Sequence, residues 1–170
     1  MRTVWAEHSA GKPLYTQEER ARRDASPWTL VQGILAPVQF AAFLASLWLI
    51  LRYLQTGEGY STASASVVIK TLLLYAIMVT GSIWEKDVFG KYLFAEAFYW
   101  EDMVSMLVLA LHTVYLGALL LDVMDPRHRM FLALAAYATY LVNATQFLVK
   151  LRTARLQQDD APQQALGIAK

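Results

Sequence analysis

Residues 102–121 read DMVSMLVLALHTVYLGALLL, with one charged residue at the start and a histidine in the middle. A helix rises about 1.5 Å per residue, so ~20 mostly apolar residues cross the ~30 Å hydrocarbon core of a bilayer. Three other stretches share this character: Leu30–Leu54, Ser64–Trp84 and Met130–Val149. A soluble chain of 170 residues rarely needs four of them, and a composition of 56% hydrophobic and 17% charged residues points the same way. The expected fold is all-α, an integral membrane bundle of four transmembrane helices.

An even number of spans puts both termini on one side. That side carries Arg2, Lys12, Arg20, Arg22, Arg23, Lys86, Lys91, Lys150, Arg152, Arg155 and Lys170; the other carries Arg52, Lys70, Arg127 and Arg129. The excess of Lys and Arg predicts that both termini are cytoplasmic, in an inner or photosynthetic membrane. A net charge of +1 offers no electrostatic case for a nucleic-acid partner, and membrane lipids are the expected surroundings. With no cysteine, disulfides, thiolate chemistry, zinc–thiolate sites and iron–sulfur clusters are excluded.

Three regions follow. Residues 1–26 form a cytoplasmic N-terminal tail, polar enough that no cleavable signal peptide is expected. Within it the charged stretch from Tyr15 to Arg23 favours helix. Residues 27–152 form the transmembrane domain, and 153–170 a polar, disordered C-terminal tail. Ser26-Pro27 and Asp125-Pro126 read as cap-plus-proline helix starts, and Pro37 should bend the first span. The loop from Asp87 to Trp100 is rich in aromatics, suiting either an interfacial belt or a cap over a flat ligand. No internal repeat or heptad run is present, so the pattern sets no oligomeric state.

Each span has one polar stripe at helical spacing. The stripes are Gln32, Ala36, Gln39, Phe43 and Ser46; Thr71, Tyr75, Met78, Ser82 and Glu85; Glu101, Ser105, Val108, His112 and Tyr115; and Thr139, Asn143, Gln146 and Lys150. Most of their polar residues fall at the end of the bundle that carries the termini. His112 lies about 15 Å beyond Asp102, near the midplane. Convergent stripes would make a pocket open at that end with His112 at its floor. Polar residues between membrane helices also serve as hydrogen-bond glue, whereas a titratable group at mid-membrane is functional by default.

The chemistry available is limited. His8 and His128 lie away from the spans, so a lone buried His112 makes neither a bis-histidine haem site nor a zinc site; it can give one axial ligand to a chlorin magnesium. No phosphate-binding glycine loop, nucleophile elbow or His-Glu-x-x-His run is present. A carboxylate–histidine–amide group in an aromatic-lined membrane pocket suits proton transfer, because a desolvated carboxyl can hold its proton near neutrality.

Four segments carry a resemblance: Leu14-Tyr15-Thr16; RDASPWTLVQG at 23–33; TGSIWEK at 80–86; and FYWED at 98–102. The chain resembles the 3-vinyl bacteriochlorophyllide hydratase family of bacteriochlorophyll biosynthesis (2-vinyl in older nomenclature) over about residues 14–156. The resemblance implies a hydro-lyase that adds water to the C3 vinyl group of a chlorophyllide-type tetrapyrrole and gives a 1-hydroxyethyl group. It requires no redox cofactor, and other pigment-biosynthesis enzymes are plausible partners. From the chemistry, Glu85 or Glu101 is the expected proton donor. Asp102, Asn143 or Gln146 would orient water, and His112 would relay a proton or bind the substrate magnesium. Trp84, Tyr99 and Trp100 would stack on the macrocycle, with Gln32, Gln39, Ser82 and Ser105 completing the substrate pocket. Lys86, Lys91 or Lys150 would meet the substrate's propionate. A non-enzymatic pigment-binding or assembly protein is the alternative; a channel or transporter ranks last, because the far half of the spans is nearly apolar.

Overall fold

The computed structural model describes residues 13–165, with side chains to residue 156. The outermost parts of both expected tails, including His8, lie outside the described residues. Five helices follow in order: α1 (Gln17–Ala25), α2 (Pro27–Thr56), α3 (Tyr60–Phe89), α4 (Tyr99–Leu120) and α5 (Pro126–Ala165). Helices α2, α3 and α4, and α5 as far as Leu156, are long and apolar enough to cross a membrane. Among the described residues there is no strand.

Local chemistry sets the helix ends. Thr16 and Glu19 form a capping box at α1: Glu19 N–H donates to Thr16 Oγ1 at 3.2 Å and Thr16 N–H to Glu19 Oε2 at 2.7 Å. Asp125 Oδ1 accepts from the backbone N–H groups of Arg127 and His128 at 3.0 and 3.2 Å, and Pro126 opens α5 behind it. Ser26 departs from the expectation. It makes no side-chain cap, and its hydroxyl donates instead to Asp87 Oδ2 at 2.8 Å, tying the α1–α2 corner to the end of α3. Pro37 lies on an exposed face inside α2, which runs unbroken from Pro27 to Thr56. Helix α5 continues past residue 152 to Ala165.

The bundle is two hairpins. Helix α2 packs along α3 and α4 along α5, while the hairpins meet less extensively. Phe43 of α2 joins them at mid-depth, with its ring 5.3 Å from Tyr137 and 5.1 Å from Tyr140 of α5. A second small core closes the end that carries α1. Phe98 stacks on Phe147 at 5.7 Å and meets Trp84 edge-on at 5.7 Å, while Tyr15 stacks on Phe89 at 5.8 Å. Burial pushes the Tyr15 phenol up to about 12, so it stays neutral at physiological pH. The loop between α3 and α4 therefore turns part of its aromatic content inward (Phe98) and leaves Tyr92, Tyr99 and Trp100 exposed.

Candidate active site

The first turn of α4 and the last turns of α3 carry the carboxylates. Glu101 is buried and pairs with Lys150 of α5, Nζ to Oε2 at 2.6 Å. Its backbone carbonyl accepts from Asn143 Nδ2 at 2.9 Å and from Ser105 Oγ at 2.8 Å. Ser105 Oγ also reaches Asn143 Oδ1 at 3.2 Å. Two polar side chains thus fix the turn that presents Glu101.

Glu85, near the end of α3, and Asp102, in the first turn of α4, flank the loop that connects the two helices. Each carboxyl holds that loop: Phe94 N–H donates to Asp102 Oδ2 at 2.7 Å and Ala95 N–H to Glu85 Oε2 at 3.3 Å. Phe94 sits at φ 58, a left-handed conformation that costs a non-glycine residue ~1–3 kcal/mol. The Asp102 bond holds it there.

A cleft of about 840 Å³ opens beside Glu101 on the outer side of the α4–α5 hairpin. Leu14, Trp100, Leu141, Val142, Val149 and Ala154 give it apolar walls; Glu101, Thr145, Gln146, Lys150 and Thr153 supply the polar groups. Its size falls within the ~300–1,000 Å³ of small-molecule sites. Gln146 Oε1 is buried in this wall with no hydrogen-bond partner in the protein.

Residues 15–153 match the family described as 2-vinyl bacteriochlorophyllide hydratase (BCHF). The chain belongs to that family. A relative from Rhodobacter capsulatus named 2-vinyl bacteriochlorophyllide hydratase is 68% identical over 86% of this chain and 85% of its own length. Another of the same name, from Cereibacter sphaeroides, is 64% identical over 87% of this chain and 92% of its own length. No solved structure matches. Membership makes the chain a hydro-lyase of bacteriochlorophyll biosynthesis.

In this member of the hydratase family the residues singled out from sequence fall into three places. Glu101, Trp100, Gln146 and Lys150 line the cleft, with Ser105 and Asn143 against the Glu101 carbonyl. Tyr99 packs edge-on against Trp100 at 5.6 Å. Glu85 and Asp102 form the loop-holding pair. Gln32, Ser82 and Trp84 belong to the α2–α3 hairpin. Gln32 Nε2 donates to Thr80 Oγ1 at 2.7 Å, Ser82 Oγ to its own helix at Val79 O (2.8 Å), and Trp84 Nε1 to Thr29 Oγ1 at 2.9 Å. Gln39 is buried at 2% exposure with Oε1 unpartnered.

His112 stands elsewhere. It is fully buried and outside the cleft, so the four stripes do not converge on one pocket with His112 at its floor. Its Nδ1–H donates to Val108 O at 2.8 Å, which leaves Nε2 as an acceptor for Lys70 Nζ at 2.9 Å. Lys70 was counted on the far side by charge, yet it lies inside α3 at 0% exposure, 3.9 Å above the Tyr140 ring. Sequence reasoning missed this pair because a lysine near a helix end usually reads as an interfacial charge; its fourfold apolar surroundings become visible only once the hairpins meet.

Proposed function

We propose that the chain adds water across the vinyl group of a bacteriochlorophyllide and gives the 1-hydroxyethyl product, with the pigment held in the α4–α5 cleft. The observation that carries this reading is the combination of a largely apolar cleft with one buried carboxyl, Glu101, in its wall. A large flat macrocycle meets Trp100, Leu141, Val142 and Val149. Glu101 donates a proton to the terminal vinyl carbon: that C–H bond forms as the π bond breaks, and the positive charge falls on the carbon attached to the ring, which delocalises it. Water attacks that carbon and gives its second proton to the Glu101 carboxylate, which restores the acid. General-acid assistance of this kind contributes ~10²–10⁴ in rate.

Gln146, whose side chain lines the cleft four residues from Lys150, positions the attacking water through its amide. Glu85 and Asp102 hold the loop above the first turn of α4, and their bonds to Phe94 and Ala95 support that assignment over direct proton donation. His112 has both ring nitrogens engaged, which favours a place in the bundle's packing over ligation of the substrate's magnesium. The termini face the cytoplasm, and the surrounding lipid belongs to an inner or photosynthetic membrane.

The test uses detergent-purified protein, a 3-vinyl bacteriochlorophyllide and heavy-oxygen water, read by mass spectrometry. A product heavier by one water and carrying the heavy oxygen is expected; bound but unchanged pigment on folded protein would point to a carrier.

A further inference from the structure

The Glu101–Lys150 pair poses a chemical problem for the reaction, because a carboxylate bound to an ammonium at 2.6 Å carries no proton to give. Both partners line the cleft, so a ligand there can compete for either of them. A chlorophyllide differs from an esterified chlorophyll in having a free carboxylate. Lys150 is the cleft's single charged side chain of opposite sign to that group. Thr153, one turn further along α5, adds a hydroxyl on the same wall.

Resting on the hydratase reading above, we propose that Lys150 is the receptor for the substrate's carboxylate and that the substrate, by taking Lys150, releases Glu101 to act as the acid. The exchange keeps one ion pair throughout: Lys150 passes from the Glu101 carboxylate to the substrate carboxylate. Glu101 then takes one proton from water at the mouth of the cleft. It passes that proton to the vinyl carbon and recovers one from the attacking water. When the product leaves, Glu101 returns a proton to water and pairs again with Lys150, so atoms and charge balance over the cycle and no further reactant is needed. Selectivity for the free acid follows from the switch itself, since an ester cannot displace a carboxylate from an ammonium.

The experiment compares a 3-vinyl bacteriochlorophyllide with its methyl ester on the wild-type enzyme and on Lys150→Met and Lys150→Arg. A charge-assisted pair supports a ~10–100-fold preference for the acid in the wild type, expressed in kcat as well as KM. A pocket that merely binds the carboxylate would move KM alone. Lys150→Arg keeps the preference, and Lys150→Met removes it by freeing Glu101 whichever pigment is bound, so that the ester reacts as fast as the acid. Equal turnover of acid and ester by the wild type overturns the switch while leaving the hydratase reading intact. No turnover of either pigment overturns both. The comparison on the wild type decides the matter even where a variant fails to fold.

Discussion

His112 and Glu101 share one face of α4, about three turns apart, and the structure treats them differently. Around His112 the polar groups bond to one another across all four spans. Lys70 of α3 meets His112 of α4, Tyr137 of α5 stacks on the imidazole at 5.8 Å, and its hydroxyl donates to Ser46 of α2 at 2.6 Å. Ser46 in turn lies 2.7 Å from Ser66 of α3. The cleft beside Glu101 does not reach this layer. Around Glu101 the partners Asn143, Gln146 and Lys150 are half-buried; they border a cleft and include a full ion pair. Depth along the bundle is a poor guide to reactivity; access separates a joint from a site.

Substitutions can break that contrast. The largest effect is expected for Glu101→Gln, which keeps the shape and removes the acid: turnover should fall ~10²–10⁴-fold, with thermal melting in detergent close to wild type. A melt that collapses with the activity would move Glu101 into the structural class. Next comes His112→Leu, which strands Lys70 without an acceptor and should cost ~1–3 kcal/mol of stability. The double variant Lys70→Met/His112→Leu replaces the pair by apolar groups and should recover most of that loss while retaining turnover. If the double variant is folded and inactive, the mid-depth layer takes part in the chemistry after all. Gln146→Leu should leave stability nearly unchanged and slow hydration ~10-fold, the size of one lost hydrogen bond of ~1.4 kcal/mol; unchanged kinetics would remove Gln146 from water positioning. The smallest effect belongs to Tyr137→Phe, which deletes the hydroxyl bonded to Ser46: ~1 kcal/mol in the melt and no kinetic change.

Helical periodicity carried much of the architecture. The α4 stripe of Glu101, Ser105, Val108, His112 and Tyr115 is buried in full. The α5 stripe of Thr139, Asn143, Gln146 and Lys150 is only half-buried, because the same face both packs on α4 and walls the cleft. Periodicity stops at what joins the helices. Lys150 reaches Glu101 across 49 positions of chain, and Ser26 reaches Asp87 across 61. Such pairings depend on hairpin geometry, and no local pattern encodes it. The Glu85–Asp102 clasp on the loop was equally out of reach. Sequence reasoning offers Glu85 as a proton donor and Asp102 to orient water, and nothing local points to Phe94 and Ala95, whose N–H groups occupy them.

Helix α4 has 22 residues, while α2 and α3 have 30 each and α5 runs on to Ala165. At 1.5 Å per residue that is about 33 Å against about 45 Å. At the Glu101 end, α5 runs on past Lys150 to Ala165, so Glu101 opens on a notch beside this overhang. Bilayer thickness then becomes a variable of the reaction. A thin membrane brings headgroups and water up to the notch, while a thick one sinks it into hydrocarbon, so the lipid that surrounds the enzyme helps to decide how wet its acid is.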